Sequence, residues 1–492
     1  MSTLKKYCFW LITGSQHLYG EEAIRQVDRD AAYIADSLNS SGRLPCKIVA
    51  KPAVTTPEEI TKICKEADYD DACAGVITWM HTFSPSKMWI AGLSRLQKPL
   101  LHFHTQHNRG IPWDSIDMDF MNLNQSAHGD REHGYIGARL RMPRKIVVGF
   151  YEDADVQRQI ASWQRCAVGA AVGKTLKVAR FGDNMREVAV TEGDKVGTQI
   201  CLGWSVNYYG LGDLAAVVNA VADSEIDLKL QKYRSDYEIR TDDLDSVRYQ
   251  ARLEIGIHRF LERGNFTAYT TNFEDLHGLE QLPGLASQQM MADGYGFGAE
   301  GDWKTAALTR VMKVMAEGLE GGTSFMEDYT YHLEKGSEMV LGAHMLEVCP
   351  TLAAEKPAIE VHELSIGGKK APARLVFHGA AGPAIAVSLV EMGGRMRMIV
   401  NDVETVVPPF EMPKLPVARV MWKPLPSLSV SAGAWLLAGG AHHTVFSYAL
   451  TAGHMRDFAR MTGLEFIHIG AHTDIAELEK ELFWNDIAYK FK

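Results

Sequence analysis

CFWLIT, residues 8–13, is a short and wholly apolar run that stops at Gly14. A run of this length without polar residues is typical of a strand that is buried on both faces of a parallel sheet. The GSQHLYG segment follows, and from Ile24 to Leu38 apolar residues then recur at steps of three and four. This spacing predicts a helix with one apolar face, so the chain opens with the first half of a βαβ unit.

The same alternation continues through the first hundred residues. The patterns predict further strands and helices, with strands at CKIVA (46–50), CAGVITWM (73–80) and PLLHFHT (99–105) and helices at TPEEITKICKEA (56–67) and SPSKMWIAGLSRL (84–96). In the first of these helices, Thr56 and Glu59 have the spacing of a capping box, and Pro57 fits the first turn. Repeated βα units of this length imply a parallel, doubly wound sheet.

A second α/β set begins at TLKVARFGD (175–183) and extends to a helix over residues 302–319 that Asp302 is expected to cap. Beyond Gly322 apolar and polar residues alternate in runs bounded by turn residues, a pattern that indicates antiparallel strands. We therefore predict two doubly wound, flavodoxin- or Rossmann-like α/β domains followed by a β-rich C-terminal domain. The predicted domain boundaries are residues 1–174, 175–321 and 322–492.

Charge and cysteine usage narrow the class of protein. The formal net charge is -10 over 492 residues, which argues against a nucleic-acid partner, because phosphate binding needs a clustered basic surface. The seven cysteines are scattered and form no CxxC pair, as expected in a reducing compartment. The apolar run at Cys8–Ile12 is too short for a signal peptide or a membrane span. A soluble cytoplasmic protein without membrane or nucleic-acid partners is predicted.

Candidate metal ligands lie beside glycines or other turn-forming residues. They are Glu300 in GAEGDWKTA, Glu327 in GGTSFMEDYTYH, His344 in LGAHMLEVCP, and His442 or His443 in GGAHHTVF. Two carboxylates with imidazole form a mixed oxygen and nitrogen set that suits Mn²⁺ or Co²⁺, with zinc left open. Adjacent side chains point in different directions, so one histidine of the pair should bind the metal.

Several motifs of catalysis and nucleotide binding are not found: GSQHLYG is not a GxGxxG fingerprint, and the sequence contains no GxxxxGK[ST] loop, no GxSxG elbow and no HExxH pair. GSQHLYG (14–20) follows the first strand, where open α/β sheets bind ligands. NLNQSAHGDRE (122–132) carries Gln125 and His128, and its polarity alone predicts a surface loop.

These segments together give the sequence a family resemblance. It resembles the L-arabinose isomerase family over roughly nine-tenths of the chain, from about residue 7 to about residue 450, in GSQHLYG, HTFSPSKMWI, PWDSIDMDFMNLNQSAHGDRE, RFGDNMREVAVTEGDKV, FEDLHGLEQLPGLA, GAEGDWKTAA, GGTSFMEDYTYH, GAHMLEVCP and AGGAHHTVFS.

The resemblance implies a site and an assembly. It assigns one Mn²⁺ per subunit, with Co²⁺ as a substitute, to Glu300, Glu327, His344 and, in preference to its neighbour, His443. It also implies a sugar pocket lined by eight residues: Gln16, Phe83, Gln125, His128, Met185, Phe273, Ile366 and His442. Members are homo-oligomers, typically hexamers, and the loop with Gln125 and His128 is expected to serve a neighbouring chain's pocket.

The implied activity is conversion of L-arabinose to L-ribulose, the first step of arabinose catabolism, with D-galactose as a second candidate substrate. Glu300 and Glu327 would act as the acid–base pair for metal-assisted proton transfer through a cis-enediol, and a hydride shift between C2 and C1 is the alternative. Three other classes are weaker: an isomerase of another aldose such as L-fucose, a periplasmic-type sugar-binding protein, and a metallohydrolase.

Overall fold

The computed structural model describes residues 2–364 and 368–490, and the chain divides into two compact units, Met1–Ala171 and Val172–Lys492. This division into two units does not test the bounds of the three predicted domains, which remain a prediction. No helix in the described ranges is both long enough and apolar enough to cross a membrane.

The first unit alternates strands and helices, and helix α6 runs across its end. The elements are β1 (Cys8–Gly14), α1 (Gly20–Ser40), β2 (Lys47–Ala50), α2 (Pro57–Tyr69), β3 (Cys73–Met80), α3 (Ile90–Leu93), β4 (Leu100–His104), α4 (Met118–Leu123), α5 (Ser126–Arg139), β5 (Arg144–Val148) and α6 (Ala154–Gly173).

The five strands form one parallel sheet in the order β2-β1-β3-β4-β5. The order reverses at β1, which is the mark of a doubly wound sheet. Strand β3 is buried along its whole length, as its apolar run predicts. At α2 the predicted capping box is formed, with the amide of Glu59 donating to Thr56 Oγ1 at 3.2 Å.

Two segments of the first unit differ from expectation. The helix predicted over 84–96 is reduced to a 3-10 turn at Ser86–Trp89 followed by the short α3. The polar segment expected to be a surface loop instead enters α5, whose Asp130 and His133 are buried. Asp130 accepts hydrogen bonds from histidines of β4, so this helix buries paired polar groups rather than an apolar face, and hydrophobic periodicity cannot reveal it.

The second unit begins with a further α/β set. Its elements are β6 (Lys177–Phe181), α7 (Lys195–Leu202), β7 (Ser205–Tyr209), α8 (Leu211–Asn219), α9 (Asp223–Asp236), β8 (Glu238–Ile239), α10 (Leu244–Gly264), β9 (Ala268–Thr271), α11 (Gly284–Ala292), β10 (Gly296–Gly298) and α12 (Trp303–Ala316).

Strands dominate the rest of the second unit. The elements are β11 (Thr323–His332), β12 (Met339–Ala343), β13 (Ala358–Val361), β14 (Ala373–Val376), β15 (Gly382–Glu391), β16 (Met396–Val406), β17 (Arg419–Pro424), α13 (Leu428–Ala438), β18 (His443–Ser447), α14 (Ala452–Thr462), β19 (Glu465–Ile469) and α15 (Ile475–Lys490).

The sheets of this unit confirm the predicted fold class. A parallel sheet has the order β10-β9-β6-β7, and a seven-stranded sheet has the order β15-β18-β11-β12-β17-β16-β19. Every pairing in the larger sheet is antiparallel except β16 with β19, and β15 also pairs with β16, so six strands close on themselves. A small third sheet joins β14, β13 and β8.

Helix α12 contacts strands of both large sheets, including β9 and β10 of the parallel sheet and β11 and β18 of the antiparallel one. Most of its residues are buried, as expected of a helix covered on several sides. Asp302 caps its first turn by accepting from the amide of Thr305 at 3.2 Å, as the sequence predicts. The residues just before this helix are therefore held at the junction of the two sheets.

Candidate metal centre

The neighbouring strands β12, β11 and β18 of the antiparallel sheet carry or directly precede three of the predicted ligands. Glu327 of β11 pairs with His443, the first residue of β18. On its other side Glu327 pairs with Ala343, the last residue of β12, which directly precedes His344. Directly opposed residues of antiparallel strands project their side chains from the same face. The register therefore brings Glu327 and His443 together, and His344, just past the end of β12, has its Nε2 3.9 Å from Glu327 Oε2.

Glu300 reaches the same place from the turn between β10 and α12. Its φ is +60°, in the left-handed region that residues with a side chain seldom adopt. Gly301 follows with a φ of +78°, and a Cβ there would lie 2.5 Å from the Cα of Asn184. The carbonyl of Glu300 accepts from the amide of Met185 at 3.0 Å. Backbone strain of this kind is typical of positions where function dictates the direction of a side chain.

The potential ligand atoms converge. Glu300, His344 and His443 each offer one such atom, and the three lie within 4.8 Å of one another. Nε2 of His443 is 3.7 Å from Oε2 of Glu300, and Nε2 of His344 is 3.9 Å from Oε2 of Glu327. These distances exceed those of hydrogen bonds and leave room for a cation between the groups.

Each imidazole is oriented by a carboxylate on its far side. Nδ1 of His344 lies 2.5 Å from Glu347 Oε2, and Nδ1 of His443 lies 3.2 Å from Asp302 Oδ2. A carboxylate accepts the Nδ1 proton, so Nε2 is left with its lone pair directed at the cluster. Nε2 of His443 is buried and has no hydrogen-bond partner within residues 2–364 and 368–490. A divalent cation would satisfy this atom, so the residues fit a mixed oxygen and nitrogen metal site.

Electrostatics favour the charged forms of Glu300 and Asp302. Burial alone would raise the pKa of Glu300, but the nearby imidazoles of His442 and His443 hold it below the usual value. Burial likewise opposes ionisation of Asp302, yet Lys304 and His443 hold the pKa of Asp302 well below its usual value. For His344, burial lowers the pKa, but Glu347 outweighs it and raises the pKa overall. An ionised Glu300 is ready to bind a cation.

Several predicted sugar-contact residues of the second unit lie beside the cluster. Phe273 lines a narrow cavity together with Glu300 and His344. Met185 is joined to the Glu300 carbonyl as described above. His442 is more exposed than His443, and its Nε2 lies 3.6 Å from Oε2 of Glu300. Ile366 lies outside the described residues.

The remaining predicted sugar contacts lie in the first unit, where Gln16 and Phe83 follow the carboxyl ends of β1 and β3, and Gln125 and His128 lie at the start of α5. The rings of Phe83 and His128 are 4.6 Å apart. Tyr19, three residues after Gln16, donates to Gln125 Oε1 at 3.5 Å. The amide of Gln125 donates to the carbonyl of His81 at 2.8 Å. The first unit therefore gathers its predicted contacts at the edge of the sheet where ligands bind in such folds.

Residue-by-residue reasoning on the sequence missed part of the site. Glu347 was not singled out, and Asp302 was identified only as a helix cap. Phe325 was also missed, although its buried ring lies 4.9 Å from that of His344 and 5.0 Å from that of His443. A usable signal exists for Glu347, because it lies three residues after the predicted ligand His344 and could orient it, whereas Asp302 orients His443, which is 141 residues away.

Comparison with known proteins identifies the family. Profiles described as the N-terminal, central and C-terminal domains of L-arabinose isomerase match residues 3–175, 177–318 and 322–465. The L-arabinose isomerase of Geobacillus thermodenitrificans is 61% identical over the full length of both chains, and that of Salmonella enteritidis is 55% identical over the same extent. The protein of the same name from Thermotoga petrophila is 58% identical over 99% of each chain.

Among solved structures, a periplasmic sugar-binding protein of an ABC sugar transporter from Legionella pneumophila aligns with 63% of this chain and 95% of its own. The identity is 10% and the TM-score is 0.15, which is too slight a likeness to support any argument. The family profiles and the full-length relatives agree with each other and confirm the resemblance found in the sequence. The chain belongs to the L-arabinose isomerase family of enzymes.

Proposed function

We propose that this enzyme converts L-arabinose to L-ribulose, with one Mn²⁺ per subunit bound by Glu300, Glu327, His344 and His443. The observation that carries the proposal is the convergence of Glu300, His344 and His443 within 4.8 Å, in a chain whose relatives are named L-arabinose isomerase. Glu327 is the fourth ligand because β-sheet pairing places it opposite His443. The reaction would be the first step of arabinose catabolism, in the cytoplasm.

The choice of His443 over His442 rests on burial and orientation. The side chain of His443 is fully buried and its Nδ1 is paired with Asp302, so its Nε2, which has no hydrogen-bond partner among the described residues, is fixed toward Glu300. The side chain of His442 is 37% exposed, which suits a group that meets a substrate entering from solvent. A divalent cation bound by this set, with Co²⁺ as a substitute for Mn²⁺, supplies Lewis-acid stabilisation of charge on O1 and O2 of the sugar.

Glu300 and Glu327 form the acid–base pair. The carboxylate of one glutamate removes the proton from C2 while the carboxylic acid of the other donates its proton to O1, which gives a cis-enediol. The second glutamate, now ionised, then takes the proton from the O2 hydroxyl while the first returns its proton to C1, which yields the ketose and restores both groups. The lowered pKa of Glu300 keeps it ionised and therefore able to accept a proton at neutral pH.

Isotope exchange separates this route from a hydride shift between C2 and C1. In heavy water a proton held on a carboxylate exchanges with solvent, so the enediol route introduces deuterium at C1 of the L-ribulose product. A hydride moves directly and carries no solvent label. Product free of deuterium at C1, measured by NMR after many turnovers, would replace the acid–base roles of both glutamates.

We assign sugar contacts to the eight residues implied by family resemblance, namely Gln16, Phe83, Gln125, His128, Met185, Phe273, Ile366 and His442. The enzyme is proposed to be a homohexamer in which the segment with Gln125 and His128 completes the pocket of a neighbouring subunit. D-Galactose, which has the L-arabinose configuration at C2 to C4, is a second substrate.

Metal removal tests the core of the proposal. Exhaustive dialysis against EDTA should abolish formation of L-ribulose from L-arabinose, and Mn²⁺ should restore it at one ion per chain, with Co²⁺ restoring a part. A panel containing L-fucose and D-galactose, assayed for ketose, defines the substrate. Full activity in protein shown by elemental analysis to lack divalent metal would refute the metal centre.

A further inference from the structure

Lys304 is a buried cation beside the proposed metal centre that none of the steps above uses. Its side chain is 1% exposed, and Nζ lies 3.3 Å from Asp302 Oδ1. Nζ also donates to the carbonyls of Thr191 at 2.8 Å and of Glu192 at 2.7 Å. These three partners account for the three N–H donors of an ammonium group. Lys304 is therefore fully engaged, and its geometry is fixed by all three contacts.

The carboxylate held by Lys304 is the one that orients His443. Oδ2 of Asp302 lies 3.2 Å from His443 Nδ1 and accepts from Thr305 Oγ1 at 2.7 Å, while Oδ1 faces Lys304. A buried carboxylate without a cationic partner is costly, so the ion pair is what allows Asp302 to remain in this place as an acceptor. The chain of contacts runs from Lys304 through Asp302 to His443.

The two carbonyls bound by Lys304 belong to the loop between β6 and α7, which carries Met185. The Thr191 carbonyl accepts a second hydrogen bond, from Asn184 Nδ2 at 2.6 Å, and the same Nδ2 reaches the Gly301 carbonyl at 3.2 Å. Gly193 packs over the aliphatic part of Lys304, since a Cβ there would lie 3.3 Å from Cδ. One ammonium group thus joins the loop of a predicted sugar contact to the carboxylate behind a predicted ligand.

We propose that Lys304 is a positioning residue that fixes Asp302, and through it His443, for metal binding, while it holds the 183–193 loop against the start of α12. The proposal rests on the metal centre proposed above. It assigns Lys304 no contact with the sugar or the metal. Its effect on the cation passes entirely through Asp302, and its effect on the sugar passes through the loop.

The test measures Mn²⁺ binding to metal-free protein by titration calorimetry. Lys304→Met keeps the length of the side chain and removes the ammonium, and Mn²⁺ affinity should fall about ten- to a hundredfold, the range typical when a group that orients a metal ligand is lost. KM for L-arabinose should rise in Mn²⁺-saturated enzyme. Lys313→Met is the matched control, because Lys313 lies on the same helix and donates to the Thr323 carbonyl at 2.6 Å without contacting Asp302.

A double-mutant cycle with Asp302→Asn checks the route. If Lys304 acts through Asp302, Lys304→Met should cost little further Mn²⁺ affinity in the Asp302→Asn background. This comparison also remains informative if Lys304→Met alone fails to fold, because the double variant buries no unpaired charge. Unchanged affinity in Lys304→Met, or losses that add fully in the double variant, would overturn the inference. Wild-type protein that binds no Mn²⁺ would instead refute the metal centre itself.

Discussion

Glu300 and Glu327 approach the centre from different structural contexts. Glu300 projects from a strained turn and is surrounded by imidazoles, whereas Glu327 lies within a regular strand, paired with His443 on one side and Ala343 on the other. A turn and a strand from two different sheets hold the carboxylates independently of each other. The proposed mechanism uses this independence, because it requires each glutamate to bind the cation and to transfer a separate proton.

The two glutamates should be individually essential. Glu300→Gln and Glu327→Gln preserve size and remove the negative charge, so kcat should fall by at least about 10²–10⁴-fold while the melting temperature of the metal-free protein stays close to wild type. Glu334→Gln is the control, since Glu334 follows β11 and its side chain is 83% exposed. Near-normal turnover in either active-site variant at saturating Mn²⁺ would remove that residue from the acid–base pair.

At the scale of residues, the sequence indicates which side chains could bind a metal but not how each is oriented. Glycines and turns beside Glu300, His344 and His443 single them out, and the resemblance favours His443 over His442. The hydrogen bonds of 2.5 Å and 3.2 Å that identify the partners Glu347 and Asp302 are seen in the folded chain. Glu347 lies three residues after His344, so spacing could suggest it, but Asp302 meets His443 from 141 residues away, and no local pattern encodes that contact.

Among the helices and strands, those with apolar runs could be predicted from the sequence, whereas a helix that buries polar side chains could not. Strand β3 occupies residues 73–80 as its apolar run predicts, because burial on both faces demands an unbroken apolar sequence. Helix α5 looks like a surface loop in sequence, since its buried face carries Asp130, which bonds His102 at 2.7 Å and His104 at 2.6 Å. Such a face is stabilised by hydrogen-bonded polar groups and shows no hydrophobic periodicity.

The pair between His104 and Asp130 predicts a pH-dependent contribution to the stability of the first unit. The hydrogen bond to Asp130 raises the pKa of His104 above its usual value. The folded state then holds the imidazole proton more tightly than the unfolded state, so the stabilisation is complete below about pH 6.5, the ordinary pKa of histidine, and is lost as pH rises through the folded pKa.

Thermal unfolding of wild type and His104→Asn, compared between about pH 5 and pH 9, measures this contribution. The difference in melting temperature should be largest at the acidic end and should shrink as pH rises. His472→Asn, at an exposed histidine of the second unit, controls for the general loss of an imidazole. A difference that grows toward alkaline pH would show that the pair acts with the opposite sign.

At the scale of the whole molecule, the predicted sugar contacts fall into two groups. Phe273, Met185 and His442 accompany the metal cluster in the second unit, whereas Gln16, Phe83, Gln125 and His128 gather at the sheet edge of the first unit. The fold class was predictable from the sequence, whereas these groupings are seen only in the folded chain. The pairing of one group with the other across subunits is a property of the assembly, and the sequence of a single chain suggests it only through family resemblance.

Subunit complementation tests that pairing. A Glu327→Gln chain keeps an intact Gln125 and His128 segment, while a Gln125→Ala/His128→Ala chain keeps an intact metal centre. If pockets are shared between neighbours, each variant alone is inactive, but random hybrids place an intact centre beside an intact segment at about one quarter of the sites, as two independent halves require.

Differently tagged chains, co-expressed, purified through both tags and shown by light scattering to be hexamers, should therefore recover about that fraction of wild-type turnover. Hybrids of Glu300→Gln with Glu327→Gln should recover no activity, because every subunit then carries one of the two changes in its own metal centre. Inactive hybrids in the first pairing would place the complete pocket within one chain.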